Sequence, residues 1–360
     1  MNVRQGIESA TVALIALLPV VLLFGDGCAA VQDDGAGGIS QSQAGVVATD
    51  TATGNSTLPV VFGEGSPPAQ ICNTSYGSCQ TLANGLGTEP VTDAVVVPPV
   101  GDGPAPVFGN LVVAQGSVLR FVDMSTRAAT TFGPTFGGSV ADIELADDGR
   151  TLIASAQGSI TLLDIATRQV TAAIQLPQGS NPTSFSESDS WDEPGINLYY
   201  CDGSSCSYLE VPPSGPAQVT RLAGLNNARN VDCGGGRCYF SLEDRVEVLE
   251  ERTRSRVTSY AAPNTRRCVV SENGDCLYCA HSEGSGTTVT GWDATKDLQF
   301  GRIQLPGANA FLRTNLTSSR ILIGQSAGSA TELFDCDREL RCTQTAIPRN
   351  RGVLRLPVNQ

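Results

Sequence analysis

A short phrase recurs along this chain and restricts its fold more than any other feature. It consists of two apolar residues, an acidic one, two variable positions, then threonine and a basic residue. It reads Phe121-Val122-Asp123-Met124-Ser125-Thr126-Arg127, then Leu162-Leu163-Asp164-Ile165-Ala166-Thr167-Arg168, then Val248-Leu249-Glu250-Glu251-Arg252-Thr253-Arg254. A looser copy is Gly291-Trp292-Asp293-Ala294-Thr295-Lys296. The threonines at 126, 167, 253 and 295 stand 41, 86 and 42 residues apart, and 86 is twice 43. A degenerate copy is therefore due near 210, where Tyr208-Leu209-Glu210-Val211 lies. Another is due near 337, where Leu333-Phe334-Asp335-Cys336-Asp337 supplies the core of the phrase.

The unit around Asp164 can be read in full. Residues 141–145 alternate polar and apolar, Asp147-Asp148-Gly149 is a hairpin signal, and 151–154 is a second apolar run. After Gln157-Gly158 come the runs 160–163 and 170–176, parted by the turn 164–169. Four antiparallel strands in about 40 residues is the content of one β-propeller blade. The spacing predicts an all-β chain, a β-propeller of six four-stranded blades beginning near 106, with Asp123, Asp164 and Asp335 as turn formers. A last β-run, 353–358, has no blade of its own and is expected to complete blade one, closing the open edge. If 59–105 also contributes strands, a seventh, composite blade results.

These repeats resemble the YVTN-type and quinoprotein-like bacterial β-propeller repeats, in which an apolar strand, an Asp-Gly turn, a strand and an apolar-Asp-x-x-Thr turn follow one another. The resemblance covers about residues 106–352. It implies the fold and leaves function open, since such propellers include binders, scaffolds and enzymes.

Upstream of the repeats, Arg4 precedes an apolar run of 14 residues, 11–24, too short to span a bilayer comfortably and of the length of a signal-peptide core. Phe24-Gly25-Asp26-Gly27-Cys28 resembles a bacterial lipoprotein signal, which implies lipidation of Cys28. The rival reading is ordinary cleavage after Cys28-Ala29-Ala30. Either way export is expected, with any membrane contact made through a lipid anchor. The expected organisation is a signal peptide over 1–28, a disordered Gly/Ser/Thr-rich linker over 29–58, an irregular segment with a small disulfide loop over 59–105, and the propeller over 106–360.

Twelve cysteines point to an oxidising compartment. Five pairs lie close in sequence: Cys72 with Cys79, Cys201 with Cys206, Cys233 with Cys238, Cys336 with Cys342, and Cys268 with Cys279. A two-residue loop at Gly235-Gly236 opposes Cys233 to Cys238, and one at Gly203-Ser204 does the same for Cys201 and Cys206. Asn273-Gly274 as a hairpin loop opposes 268 to 279 and sets Cys276 against Ser271, so Cys276 is expected as a free thiol once Cys28 is removed or lipidated. A longer turn would pair Cys268 with Cys276 instead.

The formal net charge of −13 argues against nucleic-acid binding, which needs a basic surface. The single histidine, His281, cannot build a His-rich metal cage or a Ser-His-Asp set by itself. Ala280 separates it from Cys279, so the haem-attachment spacing is not met. No cofactor is expected. The insertion 187–195 carries Asp189, Asp192 and Glu193 around Trp191, an aromatic that a long propeller loop could offer to a ligand. With no convergent catalytic set, the leading expectation is a monomeric, exported, non-enzymatic propeller at the bacterial cell envelope, binding a protein or glycan. The alternatives are a propeller enzyme (a quinoprotein-like dehydrogenase, a lyase or a hydrolase) and a purely structural envelope protein. Several channel carboxylates with raised pKa values would favour the enzyme.

Overall fold

The computed structural model describes residues 56–62, 69–72, 78–97, 110–188, 195–271, 274–284, 286–307, 311–314, 320–327, 330–337, 339–348 and 352–358. Every regular element among them is a strand, and the strands form seven four-stranded antiparallel sheets. Six sheets are built from consecutive strands, as the repeat requires: blade 1 (91–132), blade 2 (140–175), blade 3 (184–221), blade 4 (230–261), blade 5 (265–305) and blade 6 (311–348). The seventh is composite: Gly352–Val358 joins Ser56–Phe62, Ala69–Cys72 and Cys79–Thr81. The innermost strands are Val91–Val97, Val140–Leu145, Ser184–Glu187, Asn230–Gly234, Thr265–Val270, Phe311–Thr314 and Gly352–Val358. Each lies beside the next, and the last returns to the first. The chain is a closed β-propeller.

The ring has seven blades: residues 59–105 do contribute strands, and the composite blade expected in that case joins the six repeats. Two expectations are corrected by this topology. Residues 59–105 are not an irregular preface, because they hold strands of blade 7 and the innermost strand of blade 1, so the described propeller begins at Ser56. The C-terminal run does not complete blade 1. It pairs with the N-terminal strand from Ser56↔Val358 to Phe62↔Gly352. The physical reason is common to both: two unpaired strand edges are satisfied when they meet.

The recurrent aspartate acts locally. Asp123 Oδ1 accepts the N–H of Ser125 (2.8 Å) and of Thr126 (3.1 Å), Asp164 Oδ1 that of Thr167 (2.7 Å), and Asp293 Oδ1 those of Thr295 and Lys296 (both 3.1 Å). These bonds, led by the Thr167 N–H and joined by Arg150, hold the Asp164 carboxyl at about 2. The chain then passes through a left-handed residue at Arg127, Arg168, Arg254, Asp297 and Leu340 before the outer strand begins. In blade 6 the turn former is Asp337, which accepts from Glu339 and Arg341, while Asp335 lies inside the strand Ala330–Asp337. The expected assignment slipped by one strand repeat of two, which keeps the residue on the same face but not at the turn.

The core is divided into layers between neighbouring blades. Val112, Phe121, Ile143, Leu152 and Leu163 fill the layer between blades 1 and 2, and Tyr239, Val248, Val270, Leu277 and Trp292 that between blades 4 and 5. Strands in the middle of a blade are covered on both faces, so Asn110–Gln115 and Gly286–Asp293 are buried throughout. Outermost strands such as Gln169–Gln175 and Gln218–Arg221 are mostly exposed and carry Gln and Thr.

Disulfides join Cys72–Cys79, Cys201–Cys206, Cys233–Cys238, Cys268–Cys279 and Cys336–Cys342, with Cα atoms 3.9–4.1 Å apart. Each links directly opposed residues of one hairpin. Cys276 does face Ser271, whose hydroxyl accepts its N–H at 2.9 Å, but it is not a free thiol. It is disulfide-bonded, with a partner outside the described residues. The expectation of a free thiol depended on taking Cys28 out of the count, and twelve cysteines can all pair. Replacing Cys201 and Cys206 by alanine is expected to cost about 2 kcal/mol, and removing the wider Cys268–Cys279 loop about 3 kcal/mol. Urea unfolding of the two variants checks both size and order.

Candidate functional site

The innermost strands face the channel with an edge that has no strand partner, so their N–H groups need acceptors from elsewhere. Short polar side chains of the preceding blade supply them in two rungs. In the first, Asp93 Oδ2 accepts from Ile143 N (3.1 Å), Asp142 Oδ2 from Phe185 N (3.2 Å), Ser184 Oγ from Val231 N (3.3 Å) and Asn230 Oδ1 from Cys268 N (2.8 Å). In the second, two residues further along each strand, Glu144 Oε1 accepts from Glu187 N (3.4 Å), Ser186 Oγ from Cys233 N (3.1 Å) and Asp232 Oδ2 from Val270 N (2.6 Å). Asp93 uses its other oxygen on the N–H of Ala94 at 2.8 Å. The carboxylates that line the channel are thus joints between blades.

Glu144 differs from the others. It is half-buried on the channel, and burial pushes its carboxyl well above the usual 4.5. The charges of Asp142, Asp232 and Glu187 add to that rise. A carboxyl whose pKa is raised by the fold contributes stability that is complete below 4.5 and is lost as pH rises through the folded value. Glu144→Gln is therefore expected to be more stable than wild type at pH 8 and equal to it at pH 4. Thermal melts at the two pH values test this, and an equal difference at both would refute it.

At one end of the channel, where the innermost strands begin, a cavity of about 160 Å³ is lined by Asp93, Asp142, Ser184, Arg229, Arg266 and Arg267, with Thr92, Thr183 and Asn230 between them. Arg229 Nη1 donates to the carbonyl of Thr265 (3.4 Å), and Arg266 Nε to Ser282 Oγ (2.7 Å). Beside it on blade 5, a larger hollow of about 310 Å³ holds His281, Glu283, Trp292 and Arg302. His281 Nε2 bonds Thr290 Oγ1 at 2.6 Å, and its ring stands edge-on to Trp292, which itself stacks on Tyr260.

Burial and the nearby Arg302 charge lower the His281 pKa below the usual 6.5. The unfolded chain then binds a proton below 6.5 that the folded chain does not, so the stability His281 contributes is present above 6.5 and falls away below it. As the sole histidine it gives one imidazole NMR signal, whose midpoint is expected under 6.5. A midpoint at or above that value would overturn the assignment.

Not all candidate residues converge here. Asp189, Trp191, Asp192, Glu193 and Cys28 lie outside the described residues. Glu187, at the start of the acidic insertion, accepts the Asp147 N–H at 2.6 Å. Cys276 and Cys279 do not form a redox pair, because Cys279 is bonded to Cys268. Among the described residues no group of three or more His, Cys, Asp or Glu could hold a metal ion. Reading the sequence missed Arg229, Arg266 and Arg267. The adjacent pair Arg266-Arg267, directly before the apolar Cys268-Val269-Val270, was the available signal.

No protein family model and no curated protein sequence matches the chain. Solved structures do match. A functionally unknown protein from Desulfotomaculum acetoxidans DSM 771 superposes with a TM-score of 0.59 at 13% identity, covering 82% of this chain and 98% of that one. A candidate 6-phosphogluconolactonase of Bacteroides fragilis gives 0.57 at 13% identity over 85% and 99%. The Cps50 (Swd1) β-propeller domain of Myceliophteria thermophila gives 0.53 at 10% over 72% and 90%. At these identities the likeness is one of fold.

Proposed function

We propose that this chain is an exported binding propeller of the cell envelope that engages a protein or glycan at the end of the ring where the innermost strands begin. The observation that carries the reading is the ladder: the channel carboxylates accept main-chain N–H groups across blade boundaries, so the polar channel builds the ring and leaves recognition to its mouth. Five disulfides in short hairpins support an oxidising compartment. The apolar run 11–24 supports export.

The test of the binding face is capture from the envelope of the encoding organism. Immobilised wild-type protein should retain a partner, Arg266→Glu at the mouth should lose it, and Val257→Glu on the outer rim should keep it. Loss with the rim variant alone, or no retained partner, would overturn the reading. A propeller enzyme is favoured by one feature, the Glu144 carboxyl on the channel, whose pKa burial raises well above the usual 4.5. Around it, Asp142, Asp232 and Glu187 each accept a main-chain N–H, which gives them a structural task.

A further inference from the structure

The first rung of the ladder has a register position in each innermost strand, one residue before the main-chain N–H that donates to the preceding blade. Blades 1 to 4 place an acceptor there: Asp93, Asp142, Ser184 and Asn230. Blade 5 receives its bond at Cys268, so its rung position is Arg267. A guanidinium has five donors and no acceptor, so Arg267 cannot continue the ladder. The chain breaks its own joint rule at one position, and two more arginines, Arg229 and Arg266, line the same cavity.

Charge makes the cluster more pointed. In a chain of net charge −13, three guanidinium groups share a cavity with two carboxylates, Asp93 and Asp142, and both of these already accept main-chain N–H groups. Arg229 and Arg266 each make a single hydrogen bond among the described residues, to Thr265 and Ser282. The remaining donors of a planar fork match two oxygens of one anion. The cavity, about 160 Å³, has room for an oxyanion group.

We propose that the channel mouth binds a compact oxyanion, a carboxylate or phosphate group, between Arg229, Arg266 and Arg267. The inference rests on the reading of this end as the recognition face and names the chemistry of what it takes.

Calorimetric titration of the full exported protein with malonate, with inorganic phosphate and with glycerol as neutral control is the test. Saturable binding of one anion and none of glycerol is expected, and the two anions separate a carboxylate site from a phosphate site. Arg267→Gln should weaken that binding at least tenfold, and Arg229→Gln should do the same. Glutamine offers the acceptor the rung position calls for, so Arg267→Gln is expected to fold. Should it not, exposed Arg229 carries the test. No saturable binding of either anion to wild type, or binding unchanged in both variants, would overturn the inference. If wild type binds neither anion while Arg266→Glu still loses the envelope partner, this inference fails and the recognition face stands.

Discussion

A chain ending at residue 351 is expected not to form a stable propeller. The missing strand, Gly352–Val358, pairs with Ser56–Phe62 along seven residues and lies between the innermost strands of blades 1 and 6. Without it the ring opens, the N-terminal strand becomes a bare edge, and two neighbouring blades lose the strand they abut. Losses of roughly 5 kcal/mol or more follow, comparable with the whole stability of a domain. Far-UV circular dichroism should show a melt that is broad or shifted down by tens of degrees, with aggregation at moderate concentration. A synthetic peptide of sequence GVLRLPV added in trans should restore a cooperative transition. A truncated chain that melts within a few degrees of wild type would show that the ring does not depend on this strand.

The second large effect belongs to Asp93. It is buried, and its two oxygens accept the N–H groups of Ala94 and Ile143, the latter across the boundary to blade 2. Asp93→Ala leaves both donors unpaired in a place water reaches poorly. At about 1–3 kcal/mol for each orphaned group, the expected loss is roughly 2–5 kcal/mol. Ser186→Ala, which frees only the N–H of Cys233, should cost about 1–2 kcal/mol. Urea unfolding of the two variants gives the comparison. Equal costs would mean that the carboxylate of Asp93 is not the joint described above.

What could be read in advance follows from where the information lies. Turns are written in single residues, so Asp123, Asp164 and Asp293 announced the recurring hairpin, and the arithmetic of opposed positions then placed the disulfides within hairpins. Blade 7 was hard to read because its strands stand at opposite ends of the chain and Ser56–Phe62 lacks the turn phrase. Cys276 escaped because its fate depends on residues far from its own hairpin. The channel ladder was invisible for a different reason. A polar residue at alternate positions of a strand looks the same whether it faces water or caps the N–H of a neighbour, so Asp142 and Asp232 could be taken for solvated side chains. Only the closed ring brings consecutive innermost strands close enough to make them joints.

The placement of the disulfides bears on how the chain matures. Each bond among the described residues joins cysteines five to eleven residues apart and none crosses from one blade to another. A chain oxidised in the order in which it emerges from a translocation pore would close these hairpins one after another, most of them by joining each cysteine to the next to appear. Counted from Cys72 onward, Cys268 is the exception, since Cys276 emerges before its native partner Cys279. At that one hairpin, first-come oxidation yields the wrong bond, and a disulfide isomerase would have something to correct.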